Sequence, residues 1–295
     1  VPVRADTPVA PPPANPAPAT QPAPPLADKS QYTLVNPTPA NQMREMDTDR
    51  PNVANTPHTI DAGHLQVETG LVDYTFNRDE APGFNSRSDT WDLGEIDFRL
   101  GVLNDLEVNA QILAYSNYRL RDFRSGQTSR ADGFGDSSVG GKLNLWGNDG
   151  GDDNAAWSNA LAIEPQLTFP TAGSGVSTGH FQMSVAFPFL MNLPGQFHLS
   201  IQPSVGYVRN STDTGYTTAW NTAIALDRLV LGNLDVYLEY AANPTSQAHV
   251  KTPQTIDVGA TYPLGNNVVL DTGFFVGLNN SSPTVEWTSG FSVRF

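Results

Sequence analysis

Cysteine is absent from the 295 residues. No disulfide staples the fold, and neither a thiolate metal site nor a thiol nucleophile can form. Also missing is any run of about 18 consecutive apolar residues, so no helix of this chain is suited to spanning a bilayer. Positive charge is scarce: 16 Lys and Arg stand against 30 Asp and Glu, a formal charge of −14. So acidic a chain argues against nucleic acid as a partner, because phosphates need a basic surface. No convincing helical period appears either, since Gly and Pro interrupt every longer window. The mean hydropathy of −0.32 is that of an ordinary soluble protein, yet it is compatible with a membrane β-barrel, whose strands show lipid only alternate residues. The chain opens on Val1 without an initiator Met, which suggests a removed leader.

Two regions differ in kind. Ten prolines fall within the first 25 residues, with Ala and Thr between them. Residues 1–50 are therefore expected to be an extended, partly polyproline arm, disordered because it has little apolar surface to bury. Such an arm could be a passive periplasmic spacer, a site for a periplasmic or cell-wall partner, or a plug threaded into the remainder of the chain. Residues 51–295 are expected to form one all-β domain.

From His64 onward the period is two. Twelve strands are predicted, at about 64–76, 87–100, 106–118, 135–147, 156–169, 180–190, 197–209, 215–226, 234–241, 254–262, 268–277 and 284–295. The ninth shows the scheme: Leu234, Val236, Leu238 and Tyr240 alternate with Asp235, Tyr237 and Glu239. Connections after even strands are mostly tight (Leu103-Asn104-Asp105), and those after odd strands are mostly long and polar (Arg119–Phe134). The inner turn Gly147–Ala155 is unusually long, and the outer loop Asn210–Thr214 unusually short. Strands of about 11–13 residues exceed the usual globular length and match a tilted bilayer span. Trp91, Tyr115, Trp146, Tyr207, Tyr240 and Trp287 fall near strand ends, as interfacial girdles do. The final alternation, Phe291, Val293 and Phe295 against Ser292 and Arg294, has the form of a closing-strand signal read by the barrel assembly machinery. The expected fold is an antiparallel transmembrane β-barrel of about twelve strands in the bacterial outer membrane; a soluble sandwich or small lipocalin-like barrel is the rival.

Several pieces also resemble a known family: Thr48-Asp49-Arg50-Pro51, the run Thr59–Gly70, Leu100–Val108, Gly133-Phe134-Gly135-Asp136, Lys142–Gly151 and Leu167–Thr171. They are similar to the bacterial outer-membrane transporter barrels associated with the meta-pathway of phenol degradation. The resemblance covers about residues 46–295. It implies an outer-membrane barrel moving small solutes, aromatic or other hydrophobic compounds among them, and is poorly specific for any one solute.

If the apolar face looks outward, the lumen is expected to be lined by Glu68, Glu95, Asp97, Arg99, Glu107, Lys142, Glu164, Asp235, Glu239, Asp257, Asp271, Glu286 and Arg294. Ten acids against three bases would favour cations over anions in an open pore. The same charges could instead pair and fill the interior, with Arg99 beside Glu95 and Asp97, and Lys142, as pairing centres. No cofactor, metal or enzymatic activity is expected. The acidic turn Asn148–Asn154 lacks the spacing of a calcium loop, and the five histidines form no His-x-x-x-His pair. The Gly-rich loop Thr171–His180 sets Ser174 and Ser177 near His180 without a third group to orient the imidazole; it could fold inward as a constriction. Expected partners are outer-membrane lipid, small solutes, and the assembly machinery through Phe291, Val293 and Phe295, with homo-oligomers or a periplasmic partner of residues 1–50 left open.

Overall fold

The computed structural model describes residues 28–80, 83, 85–149, 156–173, 176–177, 179–210, 214–247 and 250–295. The expected arm up to residue 27, most of the acidic turn at 150–155, Ser174 and His249 lie outside the described residues. The strands are β1 (Leu65–Asp79), β2 (Ser86–Leu103), β3 (Leu106–Asp122), β4 (Thr128–Gly133), β5 (Ser137–Trp146), β6 (Asn159–Phe169), β7 (Gln182–Ala186), β8 (Phe189–Leu193), β9 (Phe197–Arg209), β10 (Tyr216–Leu231), β11 (Leu234–Ala242), β12 (Gln254–Pro263), β13 (Val268–Gly277) and β14 (Val285–Arg294).

All neighbours are antiparallel, and β14 pairs back onto β1 from Gln66↔Arg294 to Phe76↔Val285. The sheet is therefore closed, and every strand except β4, which pairs only with β3, finds hydrogen-bond partners on both sides, as a lipid environment demands. Fourteen strand segments make twelve barrel positions. β4 and β5 both lie along β3, interrupted near Gly135, where a Cβ would come within 2.6 Å of Leu113. β7 and β8 both lie between β6 and β9, interrupted at Pro188, which has no N–H for the ladder. The twelve expected strands agree with these positions. Two segments were not expected separately: β4 lies in a polar stretch without apolar alternation, and β8 continues β7 past a proline.

The alternation sorts the faces. On β11, Leu238 is exposed to the outside, while Tyr237 and Glu239 are buried within. Outward rings collect toward strand ends, with Tyr74 against Trp91 at 4.4 Å and Tyr207 stacked on Tyr216 at 4.6 Å. Short hairpins at 104–105 and 232–233 share one end with the start of β1 and the end of β14. This is the periplasmic end, and the longer loops lie outside.

The barrel is not hollow. Residues 44–64, which precede β1, run within it and bond to side chains on walls as far apart as β2, β6, β9, β11 and β13. Residues 28–43 are mostly exposed and lie at the periplasmic mouth, where Thr33 and Leu34 meet the β2–β3 hairpin. The expected boundary at residue 50 falls within the inward segment, so residues 44–50 share the interior with 51–64. Composition missed this because the segment is ordered by polar bonds to the wall rather than by apolar burial.

Candidate functional site

The interior is built around three fixed charges. Arg99 and Lys142 are wholly buried. Arg99 meets Glu107 at 2.8 Å, Glu68 at 2.7 Å and Asp49 at 3.1 Å. Lys142 meets the same Asp49 carboxylate at 2.8 Å and Glu164 at 3.9 Å. Asp49, from the inner segment, thus bridges the two buried cations of the wall. The expected pairing of Arg99 with Glu95 and Asp97 does not form. Residues two apart on one strand face share a side but lie about 6–7 Å apart, whereas a directly opposite neighbour is closer, at about 5 Å. The residues directly opposite Arg99 are Gln66 on β1 and Asn109 on β3. Glu68 and Glu107 lie one step diagonal to it, within reach of long side chains, and it is they that pair with the guanidinium. Glu95 instead accepts from Gln111 at 2.9 Å and faces Arg50 at 3.6 Å.

Beyond the 3₁₀ turn at Ala40–Gln42, the backbone of the inner segment adopts no regular structure, so its N–H groups need acceptors from elsewhere. Wall side chains supply them. Glu68 accepts from the amides of Asp49 and Arg50 at 3.1 Å, and Glu239 from Val53 and Ala54 at 2.8 and 2.9 Å. Gln202 accepts from Asn55 at 2.8 Å, and Glu107 from Ile60 at 2.8 Å. Carbonyls are met in turn by Gln66 on Asp47, Asn144 on Pro57, and Arg99 on His58. Carboxylates suit this role, since hydrogen bonds to an ionised acceptor are roughly twice as strong as neutral ones.

Arg50 crosses to the far wall, donating to Asp271 at 3.3 Å and Thr288 at 2.5 Å. Burial disfavours its charge, but Asp271, Asp73 and Glu95 outweigh that and raise its pKa. Asp47 bonds His58 Nδ1 at 2.8 Å. Burial would raise the Asp47 carboxyl, but the bond and charge of His58 dominate and lower it to about 2. At the periplasmic mouth Arg44 and Lys29 both reach Asp149 at 2.9 Å, and Arg294 donates to the Arg44 carbonyl at 2.9 Å. Asn148 accepts from the Thr59 amide at 3.0 Å. The first residues of the 147–155 turn thus hold the inner segment.

Toward the outer side of the segment lies a cavity of about 420 Å³. Asp49–Val53 and Asn55 form part of its lining, facing Asp73, Glu95, Asp97, Glu164 and Glu286 of the wall. The remaining expected residues take separate places. Asp257 is fully buried on β12, with Thr255 donating to it at 3.1 Å. Asp235 lies near His198 and Asp227 at the periplasmic end of β9–β11. In the 171–180 loop, Ser177 donates to Asp136 at 2.9 Å, and His180 packs edge-on to Tyr216. Asp47, Asp49, Arg50 and Asn55 were not among the expected site residues. For Asp49 and Arg50 the signal was present in Thr48-Asp49-Arg50-Pro51, which carried the family resemblance across the expected boundary; Asp47 and Asn55 lie outside that motif.

Residues 48–295 match the family described as "Putative MetA-pathway of phenol degradation". The chain belongs to this family. Among solved structures it is similar to the COG4313 outer membrane channel from Pseudomonas putida F1, with TM-score 0.55 and 12% identity over 79% of this chain and 93% of that one. It is also similar to the transport unit of the autotransporter AIDA-I from Escherichia coli, with TM-score 0.52 and 10% identity over 85% and 92%. At such identity the likeness is one of fold: a closed outer-membrane barrel. A search of curated proteins gave no significant match.

Proposed function

We propose that the protein is an outer-membrane channel for passive entry of small solutes, closed at rest by residues 44–61. The observation that supports this most is the single carboxylate of Asp49 held between Arg99 and Lys142. A segment fastened by polar bonds inside a closed wall is removable, because water can replace each bond once it lifts, whereas an apolar core has no such exchange. The cavity above it is a vestibule with more carboxylates than bases, which favours cationic or neutral solutes over anions. The family description names phenol degradation, and from it we take phenol-type aromatics as the candidate solute class.

Single-channel recording of the refolded protein in a planar bilayer under a KCl gradient tests the proposal. Brief, discrete openings with cation preference are expected. The opposite reading, a barrel with a permanently filled lumen acting through its surfaces, predicts silence from the wild type and from a folded Asp49→Asn variant alike, and that result would end the channel proposal.

A further inference from the structure

Six of the 16 basic residues of this acidic chain, Arg78, Arg87, Arg119, Arg121, Arg124 and Arg130, lie on the outer ends of β1–β4 and the turn between β3 and β4. Strand register puts five of them on one face. Arg78 is directly opposite Arg87, Arg87 opposite Arg121, and Arg119 opposite Arg130. The face is the external one: Arg87, Arg119, Arg121 and Arg130 are exposed, and Trp91 and Tyr115, which continue the same rows toward the membrane, are exposed too. Arg78 and Arg121 both sit over the Phe123 ring, at 4.6 and 4.8 Å, and Arg87 over Phe76 at 5.1 Å.

Like charges directly opposite in a sheet destabilise it. Two strand carboxylates share the face with the five arginines: Asp89, directly opposite Arg119, and Asp132, two residues along from Arg130. Asp89 binds Arg87 in a two-pronged pair at 2.8 and 3.0 Å, and Arg78 turns to Glu80 at 2.8 Å. Among the described residues no carboxylate forms an ion pair with Arg119, Arg121 or Arg130. The position also matters. Counting outward along β1, Val67 to Phe76 covers the apolar band, Tyr74 and Trp91 mark its outer rim, and the guanidiniums begin immediately beyond. That is the depth of the outer-leaflet headgroups.

We propose that this wall binds the phosphate groups of an outer-leaflet glycolipid, with Arg119, Arg121 and Arg130 as the main phosphate ligands. Guanidinium forks bond phosphate oxygens bidentately. A lipid phosphate between Arg87 and Arg121, or between Arg119 and Arg130, converts repulsion across the ladder into a bridge, while the acyl chains lie along the apolar rows below. The aromatic rings hold the guanidiniums upright at the rim through their negative faces. The proposal rests on the outer-membrane orientation and does not depend on whether the lumen conducts.

Native mass spectrometry of the refolded full chain in detergent, titrated with purified diphosphoryl lipid A, tests it. A one-to-one adduct is expected, weakened at least tenfold by the combined Arg119→Gln, Arg121→Gln and Arg130→Gln changes and weakened also when the lipid is dephosphorylated. Equal binding by the triple variant, or by the phosphate-free lipid, would overturn it, as would displacement of the lipid by millimolar inorganic phosphate. Folding is checked by heat-modifiable mobility on a gel. Should the triple variant fail to fold, Arg121→Gln alone is expected to weaken the adduct severalfold, and an unchanged adduct would count equally against the proposal.

Discussion

Replacing Asp49 by Asn is the sharpest perturbation of the closed lumen. The change is nearly isosteric, so the bond that Asp49 Oδ1 accepts from the Thr56 amide at 2.9 Å can persist. What disappears is one negative charge between two fully buried cations. Arg99 keeps Glu68 and Glu107, so its loss is small. Lys142 keeps only Glu164 at 3.9 Å and gains an amide where a carboxylate stood. Removing one partner of a buried ion pair typically costs about 3–5 kcal/mol. The residual partner and the 11% exposure of the Asp49 side chain place this case at the low end, near about 3 kcal/mol. In the released state both cations meet water, so the penalty falls on the docked state alone. An equilibrium shift of about 3 kcal/mol is roughly a hundredfold in the docked-to-released ratio. Planar-bilayer recording should show open probability rising by about that factor, with unit conductance unchanged. Lys142→Met in the same chain should restore much of the closed population, since the uncompensated charge is then gone. If a folded Asp49→Asn barrel opens no more often than wild type, Asp49 does not fasten the segment and the reasoning fails.

Three further outcomes follow from the same geometry. Glu239→Ala orphans the Val53 and Ala54 amides, a cost of about 2–3 kcal/mol, and should expose residues 50–56 to protease added from the periplasmic side; protection equal to wild type would show that these bonds are dispensable. Gly101→Ala drives a Cβ into the Asp61 carbonyl oxygen and sets it 2.5 Å from that of Ile60, so the inner segment must lift at 60–61, and faster hydrogen exchange confined to that stretch is the expected reading. The lowered Asp47 carboxyl stabilises the docked segment fully above its ordinary value near 3.8, and that stabilisation is lost as pH falls through about 2. Asp47→Asn should therefore remove part of the acid-induced opening between about pH 4 and 2 while other wall carboxylates still titrate; an unchanged acid profile would exclude the Asp47–His58 pair as a contributor.

The barrel was legible in the sequence because lipid on one side and polar groups on the other impose a strict period of two, visible in single strands such as Leu234–Tyr240. The breaks were less so. Pro188 divides β7 from β8 without changing the sheet neighbours, and β4 has no apolar row because it stands beyond the lipid. The inner segment was illegible by the same criteria that revealed the strands. It has no period, and its ordering comes from partners far away in sequence: Asp49 with Lys142, Ala54 with Glu239, and Arg50 with Asp271. Propensity and pattern report on neighbours along the chain and carry little information about acceptors so distant in sequence.

The excess of acid within the wall therefore has a structural cause beside any electrostatic one. A strand satisfies its amides through the ladder, whereas an irregular chain inside a barrel must find an acceptor for each buried N–H from the wall. Glutamate is well fitted to this, because it reaches from the sheet toward the axis and its two oxygens accept from adjacent amides, as Glu68 does for Asp49 and Arg50 and Glu239 for Val53 and Ala54. Those carboxylates are acceptors while the segment is docked and become free charges when it lifts. Closing and ion preference are thus coupled through the same side chains: neutralising Glu239 should weaken closure and reduce cation preference together, whereas neutralising Glu286, which lines the cavity above the segment, should change preference with little effect on closure. Recording both variants under the same KCl gradient separates the two roles, and a Glu286→Gln barrel that opens as freely as Glu239→Gln would contradict the division.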